Sequence, residues 1–273
     1  MAKNSPDTEV KQTKQPTGGI ALNAWNRWFA ALYVAQGLIV ALLSSPQLYP
    51  VQTNYLTDDF ITSEITGNPL LGRAVAHVFE VNLLNLVVAS FLMAAIFHAI
   101  IATLYRRQYE AELRQRLNIF RWIDCAITGA ILVTAVGLVS GIADLATLIA
   151  LFGATVITAL SGLAMELYNN GQEQPIWLAF VIGALAALIP LAIFAGHIWA
   201  TVVYGSASIP GFMYGLYATV AIFGIGFAAN MYLQFTQKGM WKNYAHVERM
   251  YLLLSVGAKT ALVWQIYAGV LRP

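Results

Sequence analysis

Seven runs of about 20 mostly apolar residues, the length a helix needs to cross a bilayer, follow one another along the chain. They lie near residues 24–45, 73–104, 118–141, 145–167, 176–204, 212–235 and 250–270. Within lipid a chain must satisfy its own backbone hydrogen bonds, so runs of this kind read as transmembrane helices. The breaks between them carry turn chemistry even where short, as in SGIAD (140–144) and GSASIPG (205–211). Hydrophobic residues make up 59% of the chain and charged residues 10%, a balance that the surface of a soluble domain of this size would not tolerate. The expected fold is all-α and integral to the membrane, a seven-transmembrane-helix bundle over residues 23–273. Residues 1–22 are polar, lack the apolar h-region of a signal peptide, and read as a disordered tail. The chain's surroundings are therefore membrane lipid, with no sign of nucleic acid. Its single cysteine, Cys125, excludes a disulfide framework and a multi-cysteine metal site, and reads as a small packing residue.

Lys and Arg set the direction of insertion. With the N-terminus cytoplasmic, Lys3, Lys11, Lys14, Arg27, Arg106, Arg107, Arg114, Arg116, Lys238, Lys242 and Arg249 all fall inside, against Arg73 and Arg272 outside. The positive-inside rule thus predicts a multi-pass protein of the cell membrane with a cytoplasmic N-terminus and an extracellular C-terminus. Residues 46–72 then form the longest connection, an outer loop. Its YPVQTNYLTDDFITSEITGNP stretch, rich in Tyr, Val, Thr and Ile and broken by Asp-Asp and Asn-Pro, predicts an external β-hairpin, with a structureless linker as the alternative.

Lys259 lies in the middle of the last apolar run. A lysine at that depth costs about 2.5–3.5 kcal/mol on insertion scales and marks a functional site by default. Asp124 is six residues past Asn118, Tyr33 six past Arg27, and His98 seven before Tyr105. At about 1.5 Å per residue these three share one layer, roughly 9–11 Å from the inner helix ends. Lys259 starts deeper, but side chains lean toward a helix's N-terminus, so its ammonium can reach the Asp124 layer. Ser255 and Thr128 lie one turn from Lys259 and Asp124 and add hydroxyls. The arrangement supports two readings. One is a structural ion pair that fixes helix register. The other is a desolvated amine suited to a Schiff base, with Asp124 as its anion.

Other polar residues read as follows. Arg121, three residues before Asp124, either snorkels to water or completes a charge network with Asp124. His98 is a proton acceptor or an interior hydrogen-bonded histidine. Tyr33 reads first as a packing residue with a satisfied hydroxyl. Glu80, placed in the outer half of the second helix, is expected as a neutral acid within the bundle. His77, His197, Asp144 and Glu166 fall near helix ends, where interfacial or capping roles are expected. Trp25, Trp28, Trp122 and Trp241 fall near the boundaries, as an aromatic belt would.

Several strings are specific in combination: NIFRWID (118–124), SGIAD (140–144), IPGFMYG (209–215), KNYAHVER (242–249) and LSVGAKTALVWQI (254–266). With the inverted orientation, they resemble the heliorhodopsins, a family of retinal-binding rhodopsins. The resemblance spans the third to seventh helices and extends to Phe97-His98 and Asn26-Arg27. It implies all-trans retinal carried by Lys259 as a protonated Schiff base, with Asp124 as counterion and Ser255 as a hydrogen-bond partner. His98 matches the family's helix-two histidine in an inner polar cavity. There are two departures: the counterion is usually Glu and here is Asp124, and Tyr33 stands where some members carry a second histidine. Leu132, Phe223 and Phe227 are candidates to line the chromophore channel, or plain helix contacts.

The function this implies is non-enzymatic: a light-sensing photoreceptor with internal proton transfer and no net ion transport. A light-driven proton transporter or channel is the alternative, and a retinal-free transporter built on Lys259 and Asp124 is a third reading. The family also implies a homodimer, for which Gly153, Gly162 and Gly183 are the hint in the sequence, and an unknown cytoplasmic signalling partner.

Overall fold

The computed structural model of the protein describes residues 18–206 and 208–273. Among these residues, seven helices are long and apolar enough to cross a membrane. The first is α1 (Gly18–Leu43), followed by a strand β1 (Leu48–Asp58), a short helix α2 (Phe60–Thr66) and a second strand β2 (Leu71–Asn82). The second span is α3 (Leu83–Ala102), which a surface helix α4 (Arg106–Arg114) joins to the third. That third span is composite: α5 (Ile119–Asp124), a π-helical turn (Cys125–Gly129) and α6 (Ala130–Val139). The remaining spans are α7 (Leu145–Tyr168), α8 (Leu178–Tyr204), α9 (Gly211–Thr236) and α10 (Tyr244–Ile266), the last running into a second π-turn (Tyr267–Leu271). α1 begins inside the stretch read as a tail, and the rest of that stretch, residues 1–17, lies outside the described residues.

Polar residues at the breaks start these helices. Asn82, Asn118, Asp144 and Asn243 each accept a backbone N–H from the first turn of α3, α5, α7 and α10, which satisfies donors that a helix start leaves open. Between the spans the core is apolar. One cluster, around Phe91, Leu132, Val263 and Ile266, fills the half near the hairpin. A second, around Trp122, Met165, Tyr244 and Tyr251, fills the half near α4.

The hairpin is present but larger than the sequence suggests. β1 and β2 pair antiparallel from Leu48 opposite Asn82 to Asp58 opposite Leu71, with an irregularity between Val51 and Gln52. The second span therefore begins at Leu83 and not at residue 73. The segment RAVAHVFEVN is apolar enough to pass for a helix start, but its Val-rich alternation suits a strand. Glu80 and His77 consequently sit on β2, exposed and opposite Pro50 and Gln52. Neither belongs to a bundle helix, and the expectation of Glu80 as an interior neutral acid is corrected. The hairpin docks on the turn before α7: the Gln52 N–H donates to Ala143 O at 2.8 Å, and Asn54 Nδ2 donates to Asp144 Oδ1 at 3.0 Å. The hairpin and α4 mark opposite faces of the bundle.

Candidate functional site

α10 carries Lys259 into the centre of the bundle, where its Nζ donates to Asp124 Oδ2 at 2.5 Å. Both side chains are only 5% exposed, so the pair is a desolvated one whose charges are tolerable only together. The hydroxyl of Thr128 donates to the Asp124 backbone carbonyl at 2.7 Å and lies 3.2 Å from Asp124 Oδ1. This contact sits in the π-turn directly after Asp124. The ring of Tyr33 lies 5.4 Å from Lys259 Nζ, within cation–π range, and stacks on the ring of His98 at 5.5 Å.

His98 is fixed by its own partner. Asn26 Nδ2 donates to Leu22 O at 3.1 Å, so Asn26 Oδ1 faces His98 Nδ1 at 2.7 Å as an acceptor. That assigns the proton to Nδ1 and leaves Nε2 as a buried lone pair without a protein partner. The hydroxyls of Ser255 and Tyr33 are also buried without protein partners, so Tyr33 packs in the core as expected but its hydroxyl, expected to be satisfied, is not. His98, Ser255 and Asp124 share the wall of a cavity of about 10 Å³, room for about one water molecule. Asn118, Arg121 and Tyr251 close its other side.

A second cavity, of about 360 Å³, lies among the third span, α7, α8, α9 and α10. Leu132, Phe223, Phe227, Cys125 and Trp122 line it, and Lys259 and Ser255 form part of its wall. Its lining is almost entirely apolar, with an amine as the reactive group. Such a space suits an elongated apolar molecule with a carbonyl end. Close approach of α7 shapes one wall: a Cβ at Gly162 would lie 2.3 Å from the Trp122 ring. Trp122 is thus a buried residue of the site, 3% exposed, and not part of an aromatic belt.

Arg121 departs from both expectations. It neither reaches water nor pairs with Asp124; its guanidinium is held between Glu166 and Glu248 and lies over the Tyr251 ring at 4.0 Å. Glu166, expected as an end-of-helix residue, is 2% exposed and accepts from five groups. The reason is helical phase: Arg121 and Asp124 project from one turn, but Arg121 meets the ends of α7 and α10 while Asp124 meets the middle of α10.

The fold therefore brings together Lys259, Asp124, Thr128, Ser255, Tyr33 and His98, and lines the larger cavity with Leu132, Phe223 and Phe227. It assigns Arg121 to a neighbouring cluster. Glu248, Asn118 and Asn26 were missed as site residues. Glu248 had a usable signal, because residues 248, 252, 255 and 259 fall on one helical face ending at Lys259.

No curated protein matches the chain. Residues 22–271 match the family described as Heliorhodopsin. With that match over nearly the whole chain and seven candidate spans around a buried lysine, the protein belongs to the heliorhodopsin family of non-enzymatic, retinal-binding rhodopsins.

Proposed function

We propose that the protein is a light-sensing photoreceptor in which Lys259 holds all-trans retinal as a protonated Schiff base, Asp124 is the counterion, and no ion is carried across the membrane. One observation carries this reading: Lys259 stands in the wall of the 360 Å³ apolar cavity with Asp124 at 2.5 Å. The residues present fit the group, since the cavity is apolar where a polyene would lie and polar only around the amine. Bound retinal would supply light absorption and a change of shape on isomerisation. Everything else falls to the chain. Asp124 keeps the proton on Nζ, Thr128 steadies the carboxylate, and Leu132, Phe223 and Phe227 exclude water from the apolar end. When light disturbs the pair, the proton moves toward the small cavity, where His98 Nε2 is the free acceptor.

The distribution of buried charge favours a sensor over a pump. Among the described residues, buried Asp, Glu, His, Lys and Arg other than the Lys259–Asp124 pair are His98, Glu112, Arg121, Glu166 and Glu248. All five lie toward the α4 face, at the end of α3, in α4, at the start of α5, at the end of α7 and at the start of α10. Toward the hairpin face the buried polar residues among those described are Gln36, Ser90 and Thr219, none of which relays a proton by titrating near neutral pH. The α4 face, rich in Arg and Lys, is taken as cytoplasmic. A homodimer and a cytoplasmic partner complete the reading, although Gly162 and Gly183 pack against Trp122 and Ser161 of the same chain and leave Gly153 open.

Protein expressed with retinal should be coloured and Lys259→Ala colourless; a coloured Lys259→Ala variant ends the Schiff-base reading. Illuminated cells in unbuffered medium should show no pH change that a protonophore abolishes. Such a change would favour a light-driven proton transporter.

A further inference from the structure

The buried charges near the α4 face do not balance. Arg121 is one cation between two carboxylates, Glu166 and Glu248, whose side chains are fully buried. Lys259 cannot supply the missing charge, because Asp124 already takes it. A carboxylate without a counter-charge in such a setting takes up a proton in preference to staying ionised.

The donors decide which carboxyl that is. Glu166 accepts from Arg121 Nη2, Asn118 N at 3.1 Å, Trp122 Nε1 at 2.9 Å, Gln234 Nε2 at 3.1 Å and the Tyr244 hydroxyl at 3.1 Å. Five donors on two oxygens are the surroundings of an anion. Glu248 receives Arg121 Nη1 on Oε2 and Asn118 Nδ2 at 2.6 Å on Oε1. Its remaining neighbour, the Tyr109 hydroxyl, lies 3.5 Å from Oε1, and a phenol oxygen can accept as well as donate.

We propose that Glu248 is a second proton-holding site, a neutral carboxylic acid in the resting protein with its proton on Oε1 facing Tyr109 of α4. The titratable groups around it are Arg121 from α5, Glu166 from α7, Tyr109 from α4, and Tyr244 and Tyr251 from α10 itself. Arg121 and Asn118 bond Glu248 and also line the small cavity that Asp124 shares. A change of charge at either site is therefore felt at the other across one small space. Ionising Glu248 breaks its O–H bond, passes that proton by way of the Tyr109 hydroxyl to water at the α4 face, and leaves the Arg121 cluster with one excess negative charge.

The test does not depend on retinal, so its failure is distinct from failure of the photoreceptor reading. Infrared spectra of the full chain without retinal, in H₂O and D₂O at neutral pH, should contain the carbonyl stretch of a buried protonated carboxyl. Glu248→Gln should remove that band and leave the thermal midpoint unchanged, because the amide replaces a neutral acid of the same shape. Glu166→Gln should also lose the band, because Arg121 is then left with Glu248 as its counter-charge and keeps it ionised, and it should lower the midpoint. Absence of the band in the wild-type chain, its survival in Glu248→Gln, or a midpoint that falls sharply in Glu248→Gln would overturn the proposal. If Glu166→Gln does not fold, the wild-type and Glu248→Gln spectra still decide it.

Discussion

Lys259 Nζ and Asp124 Oδ2, separated by 135 positions in the chain, lie 2.5 Å apart at the centre of the bundle. Neither side chain has another charged partner among the described residues. Each therefore depends on the other for its charged state.

Removing one partner should cost more than removing both. Lys259→Ala alone leaves Asp124 buried and unpaired, a loss of about 3–5 kcal/mol for broken buried pairs. Lys259→Ala with Asp124→Asn should recover most of that. Thermal denaturation of the three proteins in the same detergent measures it, and equal stability of the single and double variants would contradict the pairing argument.

Asp124→Asn should shift the visible band of the retinal-loaded protein strongly, while Asp124→Glu, which keeps an anion, should shift it less. The comparison separates charge from shape. Little shift in Asp124→Asn would place the counterion elsewhere.

Gly162 should tolerate no side chain. Its Cβ would lie 2.3 Å from the Trp122 ring, and Trp122 lines the larger cavity. Gly162→Leu should destabilise the fold by about 1–3 kcal/mol through overpacking and should weaken retinal uptake, read as the final absorbance on titration with retinal. Gly153→Leu, at a position open to its surroundings, serves as the control.

Asp144 ties the hairpin to the bundle. The Thr147 backbone N–H and hydroxyl hold its carboxyl below the usual range. A lowered value means stability that is complete above an ordinary aspartate's value of about 3.9 and is lost as pH falls through the lower folded value. Asp144→Asn can cap α7 but cannot titrate, so it should flatten that acid-side loss in a plot of thermal midpoint against pH. Asp144→Ala should cost about 1 kcal/mol at neutral pH.

The legibility of each element followed its range along the chain. Span positions depend on local apolarity, so six of the seven were readable to within several residues at each end. The second was not, because RAVAHVFEVN can continue a helix or pair with β1, and only the presence of β1 opposite it decides for the strand. Trp122 was misread for a related reason: its distance from a helix end says nothing about the direction its ring faces.

By itself the sequence determined that the chain crosses the membrane with seven helices and buries Lys259 near Asp124, since depth along a helix follows from rise per residue. Tertiary structure decided the rest. Which carboxylates meet Arg121 depends on how α5, α7 and α10 are rotated about their axes. Where a cavity opens beside Lys259 depends on how closely Gly162 lets α7 approach Trp122. Rotation and approach are set by packing among helices distant in sequence, and no local pattern encodes them.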